Sequence, residues 1–352
     1  MKRRMSRLLG MALCISAFMA FSNIVPAAFA NGTKDGGQTG GQNAAQKPLV
    51  LSCGSGTVGG SFYIMAAAVS TVVTREVPGV QLVTQTTSGS GEAYVGVVQK
   101  DYEVCITNAD FGYIGAHGGD PAQPAYVAGP NVRTWMVIEP TPYLMAARTN
   151  NTKVRAFEDL IKPGLKVGAN TLSSGSNVLV GYVVEALGGK MSNIDQYPAG
   201  HDQTCTALKD GNIDIATTFA GQLSSPNAAY QELTATTDIS WYVIPPKIRD
   251  EINKKYPYFR KVVVQPGWTP NITKPYETLG VHGIFLIDKD VPEEVVYQMT
   301  KAVFEHIDEL GMAFPALKVL GKDTAAVGAT CEIHPGALRY YQEHGFKIEV
   351  DK

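Results

Sequence analysis

From Pro48 onward the chain alternates short apolar runs with stretches whose apolar residues recur at helical spacing. Pro48–Ser52 reads as a strand that stops at the glycine-rich segment Gly54–Gly60. A helix is predicted over Ser61–Glu76, with Ile64, Ala67, Ala68, Thr71, Val72 and Arg75 at helical spacing, closed by Pro78-Gly79. Val80–Thr84 is a second strand, and Thr86-Thr-Ser-Gly-Ser-Gly91 opens a helix towards Lys100. Glu103–Thr107 is a third strand, ending at Asn108-Ala-Asp110. The same kind of pattern returns later. Leu165–Gly168 is a strand, Ser173–Asn177 opens a helix to Ala186, and Asn193–Tyr197, Asp202–Lys209 and Ile213–Thr217 read as strand, helix and strand.

Strands alternating with helices predict a mainly parallel sheet covered on both faces, an α/β fold. Two longer apolar stretches separate the units. Trp135–Arg148 is extended but interrupted by Pro140 and Pro142, and Leu279–Ile287 follows the Pro- and Gly-rich segment Gln265–Tyr276. They are expected to cross between two α/β lobes as a hinge, leaving a cleft. The expected division is 48–138 and 276–352 for one lobe and 139–275 for the other. A helix is predicted from Pro292, with Val295, Val296, Met299, Val303, Ile307 and Leu310 on one face.

The first thirty residues follow a different logic. Lys2, Arg3, Arg4 and Arg7 precede an apolar run from Leu8 to Phe21, and small residues stand at Ala28 and Ala30. That is the pattern of a cleaved secretory signal, with cleavage expected after Ala30. The Gly-, Gln- and Asn-rich residues 31–46 read as a flexible leader. Removing 1–30 takes away four of the 30 basic residues and none of the 32 acidic ones, so the mature net charge is 26 − 32 = −6. This does not suit a nucleic-acid binder, and no nucleic-acid partner is expected. At 352 residues, 45% of them hydrophobic and 18% charged, the chain has material for about two domains. Cys53, Cys105, Cys205 and Cys331 remain after cleavage, none in a CxxC pair. They are either buried free thiols or disulfide partners in one of three full pairings.

Several familiar chemistries are excluded. Gly54-Ser-Gly-Thr-Val-Gly59 matches GxGxxG, but the second strand runs into Thr84-Gln-Thr-Thr87 and has no acid for a ribose. There is no GxxxxGK[ST], no GxSxG and no HExxH, so no catalytic residue, metal site or cofactor is assigned. His117, His201, His282 and His334 read as exposed or core imidazoles.

What remains is three helix starts, after Gly60, Ser88 and Ser174, each following a strand and each rich in small hydroxyl residues. Unpaired N–H groups and the helix dipole favour an anion at such places. The same serines and threonines also serve as ordinary N-caps. Three such loops at the carboxyl ends of strands in two facing lobes favour binding. The candidate ligand-binding residues are Thr57, Gly60, Ser61, Phe62, Tyr63, Thr87, Ser88, Ser90 and Asp110 from one lobe, and Ser174, Gly175, Ser176 and Gln222 from the other. Phe62 and Tyr63 would wall the cleft, and Asp110 would cap the next helix or meet a ligand ammonium. No arginine lies in these loops, though Arg133, Arg148 and Arg155 stand elsewhere.

These segments resemble the TAXI-type solute receptors of TRAP transporters. The likeness spans about Pro48 to Gly345 and rests on Gly54–Tyr63, Thr87–Ser90, Asn108–Asp110, Ser174–Ser176, Lys209–Asp214, Tyr256–Phe259, Val296-Tyr297 and His334–Tyr340. The resemblance implies the type II periplasmic-binding-protein fold and a non-enzymatic, monomeric receptor. It would close on a small solute, a glutamate- or dicarboxylate-like organic acid or amino acid, and deliver it to membrane permease subunits driven by an ion gradient. A sensory subunit or a secreted enzyme using the same cleft are the alternatives. Ala93 and the pair Gln222-Leu223 depart from the family pattern.

Overall fold

The computed structural model describes residues 47–120 and 126–351. The expected signal and leader lie outside that range.

The first unit is β1 (Leu49–Gly54), α1 (Ser61–Glu76), β2 (Val80–Gln85), α2 (Ser90–Gln99), β3 (Val104–Asn108) and α3 (Ala109–Ala116). The long strand β4 (Val132–Arg148) leads to β5 (Lys166–Gly168), α4 (Gly175–Ala186), β6 (Asp195–Gln196), α5 (His201–Asp210) and β7 (Ile215–Phe219). A tight pair, β8 (Gly221–Gln222) and β9 (Ser225–Pro226), precedes α6 (Ala228–Thr236), β10 (Ile239–Tyr242), α7 (Pro246–Lys255) and β11 (Arg260–Val264). The long strand β12 (Tyr276–Asp288) then returns, followed by α8 (Glu293–Glu305), α9 (Ile307–Ala313), α10 (Pro315–Lys318), β13 (Val327–Ala329), α11 (Pro335–Glu343) and β14 (Glu349–Val350).

The main sheet runs β2-β1-β3-β12-β4-β7-β5-β6, with β10 added on β4 and β11 on β12. Within each end the strands are parallel: β1 pairs with β2 and β3, and β5 with β6 and β7. The two long strands run antiparallel to their neighbours and serve both ends. β12 pairs with β3 over Gly283–Ile287 and with β11 over Tyr276–Gly280. β4 pairs with β12 over Val132–Pro142 and with β7 over Tyr143–Ala146. This is the expected α/β architecture of two lobes joined by extended crossings, but the sheet is mixed where a mainly parallel one was expected, because β4 and β12 run antiparallel to every strand they meet.

Three local expectations need correction. The crossing strand is not interrupted at its prolines. Proline cannot donate to a ladder and is tolerated at bulges; the register shifts beside Pro140, between His282 and Ile284 of β12. The carbonyls of Pro140 and Pro142 still accept from Leu223 N (3.2 Å) and Ala220 N (3.4 Å). Second, α1 buries Met65, Ala66, Val69, Ser70, Val72 and Val73, while Thr71 and Arg75 of the expected set are exposed. The segment is apolar nearly all round, so spacing alone did not select a face. Third, the helix from Pro292 breaks at His306 into α8 and α9. Val296, Met299, Val303 and Leu310 are buried, whereas Val295 and Ile307 are half-covered.

All four described cysteines are free and buried. Burial pushes the thiols of Cys53 and Cys331 up to about 12 and 11. His334 is structural: it caps α11 by accepting from Gly336 N (3.2 Å), and its Nε2 donates to Val291 O (3.0 Å).

Candidate functional site

The strand-to-helix loops after β1, β2 and β5 turn towards one another, together with the start of α3. They border an open cleft of about 80 Å3. Its wall takes in Thr57, Gly60, Ser61, Phe62, Tyr63, Ser88, Ser90, Ser174, Gly175, Ser176 and Gln222 from the expected set. Gly56, Gly89, Asn108, Thr141, Asn170, Thr171, His201, Phe219, Gly221 and Asn227 line it as well. None of these described lining residues is Asp, Glu, Lys or Arg.

Two nominated residues do not line the cleft. The Thr87 hydroxyl donates to Ser55 O (2.8 Å) and Gly89 O (3.0 Å), stitching its loop to the one after β1. Asp110 is neither a cap nor a cleft residue: it is the second residue of α3, whose N-cap is Asn108. Its carboxyl is fully buried behind the helix start, where Oδ2 accepts from the Tyr126 hydroxyl and Oδ1 has no hydrogen-bond partner. Burial raises its pKa to about 7.

The helix starts differ in how their first N–H groups are used. The N-caps of α1, α2 and α3 are Gly60, Gly89 and Asn108, and none accepts a side-chain capping bond. Their first-turn donors are therefore not met by the cap side chain, though Gly91 N of α2 is already taken by Ser173 O. Ser174, by contrast, is a true N-cap of α4, accepting from Asn177 N (3.1 Å). Ser176 accepts from Phe219 N (3.0 Å) and bonds Thr218 Oγ1 (2.9 Å), tying α4 to β7. Both hydroxyls are thus engaged in holding the frame, and α4 offers the cleft mainly its backbone. Ser61 Oγ and Gln222 Oε1 are buried without a hydrogen-bond partner, and Gln222 is only 1% exposed. Orphaned polar atoms of this kind cost free energy unless something meets them.

The loops from the two ends of the sheet touch directly above the cleft. Ser88 Oγ and Ser173 Oγ share a hydrogen bond (2.8 Å), Thr171 Oγ1 donates to Ser88 O (2.5 Å), and Gly91 N donates to Ser173 O (2.9 Å). Gly89 makes this approach possible. Its backbone (φ +154°, ψ −174°) lies in a region essentially reserved for glycine. A Cβ there would also sit 3.2 Å from Ser173 O and from Ser174 N and Cα. At Gly175 a Cβ would lie 1.9 Å from Asn108 Nδ2, so α4 meets α3's cap with no room for a side chain.

His201 departs from the core-or-surface expectation. Asn170 Oδ1 accepts from Thr171 N (2.8 Å), which turns Asn170 Nδ2 towards His201 Nε2 (3.0 Å). The imidazole proton is therefore on Nδ1, which is buried without a partner. Burial lowers the pKa to about 4, so the ring is neutral at neutral pH. Asn170 itself has φ +68°, a conformation asparagine tolerates better than most residues.

Relatives place this arrangement. The profile of the NMT1-like family matches residues 53–345, a span that includes every residue lining the cleft. The chain belongs to the NMT1-like family. Three solved structures share its architecture at low identity. MatC from Rhodopseudomonas palustris with bound malate is 16% identical, with a TM-score of 0.53 over 84% of this chain and 96% of that one. The periplasmic binding protein BugD is 15% identical, with a TM-score of 0.52 over 85% and 94%. A second R. palustris protein, with adipate, is 14% identical, with a TM-score of 0.52 over 84% and 92%. At such identities the likeness establishes the fold, the two-lobe periplasmic-binding architecture. Among the described residues of this NMT1-like chain, no helix is long and apolar enough to cross a membrane.

Proposed function

We propose that this protein is an extracytoplasmic solute receptor that closes on a small organic anion and hands it to membrane permease subunits, in the manner of the TAXI-type receptors of TRAP transporters. One observation carries this reading: starts of α1, α2 and α4, from opposite ends of the sheet, line one cleft that has no charged side chain among its described residues. Each helix start contributes about half an elementary positive charge, together with those first-turn N–H donors that Ser173 O and the Ser174 hydroxyl have not already taken. A ligand of micromolar affinity needs about 8 kcal/mol, and a single such start supplies at most about 2. Convergence and exclusion of water are therefore what make the site, and the glycines that bring the loops together belong to it. The malate and adipate named with two structural neighbours place small organic acids among the ligands of this fold.

On this reading, residues 48–138 and 276–352 form one lobe and 139–275 the other, and the crossings β4 and β12 form the hinge. Ligand shifts the open–closed balance only through contacts made in the closed state. The exported, signal-bearing start and a monomeric receptor complete the proposal. Binding without turnover is the expected behaviour. The cleft's imidazole is neutral, and its Nε2 is already engaged by Asn170.

Calorimetry and thermal shift against a panel of small carboxylates, amino acids and sulfonates test the proposal. Saturable binding with an unchanged NMR spectrum of the ligand supports it. Absence of binding by every member, or steady conversion of a bound acid, overturns it.

A further inference from the structure

We infer that the cleft takes a ligand with one anionic head group, and that it discriminates against a second anionic end. The inference rests on the receptor reading above and narrows it, away from dicarboxylates.

The positive field of the cleft is all backbone. It comes from the starts of α1, α2 and α4, and no lysine or arginine is among the described residues of the lining. Three helix starts lining one cleft can together compensate one carboxylate. A second carboxylate elsewhere on the same molecule would meet a different surface. Phe62 and Tyr63 in the first turn of α1, with Thr141 and Phe219, also line the cleft and are aromatic or neutral.

Three acids stand beside the lining. Glu92 accepts from Ser88 N (2.8 Å) and the Ser88 hydroxyl at one lip. Glu139 accepts from Ser224 N (3.1 Å), two residues beyond Gln222. Asp202 follows His201, with Oδ2 3.3 Å from where a Cβ on Gly59 would stand. A second negative end would therefore be desolvated without a cationic partner and repelled by its surroundings, which is the costly way to bury a charge.

The test uses ligand pairs that differ only by replacing a terminal methyl with a carboxylate: hexanoate against adipate, and 2-hydroxybutanoate against malate. Affinities are measured by calorimetry on the mature protein at low salt, where screening is weak. The monocarboxylate should bind about tenfold or more tighter in each pair in which binding is detected, since each factor of ten needs only about 1.4 kcal/mol. Adipate or malate binding as tightly as its partner, or more tightly, overturns the inference while leaving the receptor reading intact. Failure of all four acids, together with the rest of the carboxylate panel, overturns both.

Discussion

Gly175→Ala perturbs the contact between the starts of α3 and α4 in the wall of the cleft. The new Cβ would stand 1.9 Å from Asn108 Nδ2 and 3.0 Å from its Cγ. Both are inside ordinary contact distance, so the amide must swing aside. Asn108 is only 3% exposed and has little free space to move into. Forcing such a side chain off its rotamer costs about 0.5–1.5 kcal/mol, which converts to a roughly two- to tenfold loss of affinity. The same substitution replaces glycine by a better helix former in the first turn of α4, worth up to about 1 kcal/mol. The two effects have opposite signs. The ligand-free protein should melt at the same temperature or up to about 3 °C higher, while the tightest binder of the carboxylate panel binds more weakly. Thermal melts with and without that ligand, plus calorimetry, read both. In an Asn108→Ala background the clash disappears, so adding Gly175→Ala should cost little further affinity. Undiminished affinity in the single variant, or the same loss in both backgrounds, would refute the claim that the fit of Gly175 against Asn108 shapes the ligand site.

Removing the side-chain part of the clasp with Thr171→Val and Ser173→Ala should weaken ligand binding by about three- to tenfold, at about 0.5 kcal/mol for each exposed hydrogen bond. The ligand-free melting temperature should stay unchanged; a lowered one with intact affinity would show that the clasp only stabilises the fold. Asp110→Asn should alter the pH dependence of stability. The folded-state pKa is raised by burial from 3.8 to about 7, so the folded protein holds this proton more tightly than the unfolded chain. Stability is then full below about pH 4 and is lost as pH rises to about 7, with a ceiling on the order of 4 kcal/mol at about 1.4 per pH unit. Urea melts at pH 5 and pH 8 should show the variant losing less than the wild type, and equal losses would refute the assignment. Ser176→Ala should cost about 1–3 kcal/mol of stability, because Phe219 N–H is left buried without its acceptor; a neutral result in chemical denaturation would show that water replaces the hydroxyl.

The alternation of elements and the three glycine- and hydroxyl-rich loops were legible in the sequence because they depend on local pattern: a parallel strand ends, a small-residue turn follows, a helix begins. Which hydroxyl faces the cleft was not legible. Thr87 and Ser90 look equivalent in Thr87-Ser-Gly-Ser90, yet one bonds back across the loops to Ser55 O and the other lines the cavity. Asn108-Ala-Asp110 was recognised as a strand end, but the chemistry was placed on the acid. The asparagine caps α3 at the cleft, while Asp110 turns inward to a tyrosine whose position only the tertiary fold fixes. Asn170, His201 and Asn227 are single polar residues after or between elements, with no spacing to mark them. Gln222 was found, although what places it is the hydrogen bonding of its neighbours to the carbonyls of Pro140 and Pro142.

The position of β12 in the sheet has a consequence for how the molecule comes together. It is inserted between β3 and β4, so Gly283 must find Asn108 before the two halves share a continuous sheet. Until that strand emerges, β3 and β4 lack their common neighbour and face an open slot. Closing so distant a contact is entropically slow, and a chain cut before Tyr276 would lose the middle of the sheet instead of its rim. The sheet thus stays incomplete until late in synthesis, and its two ends cannot share one ladder before Tyr276–Asp288 is in place.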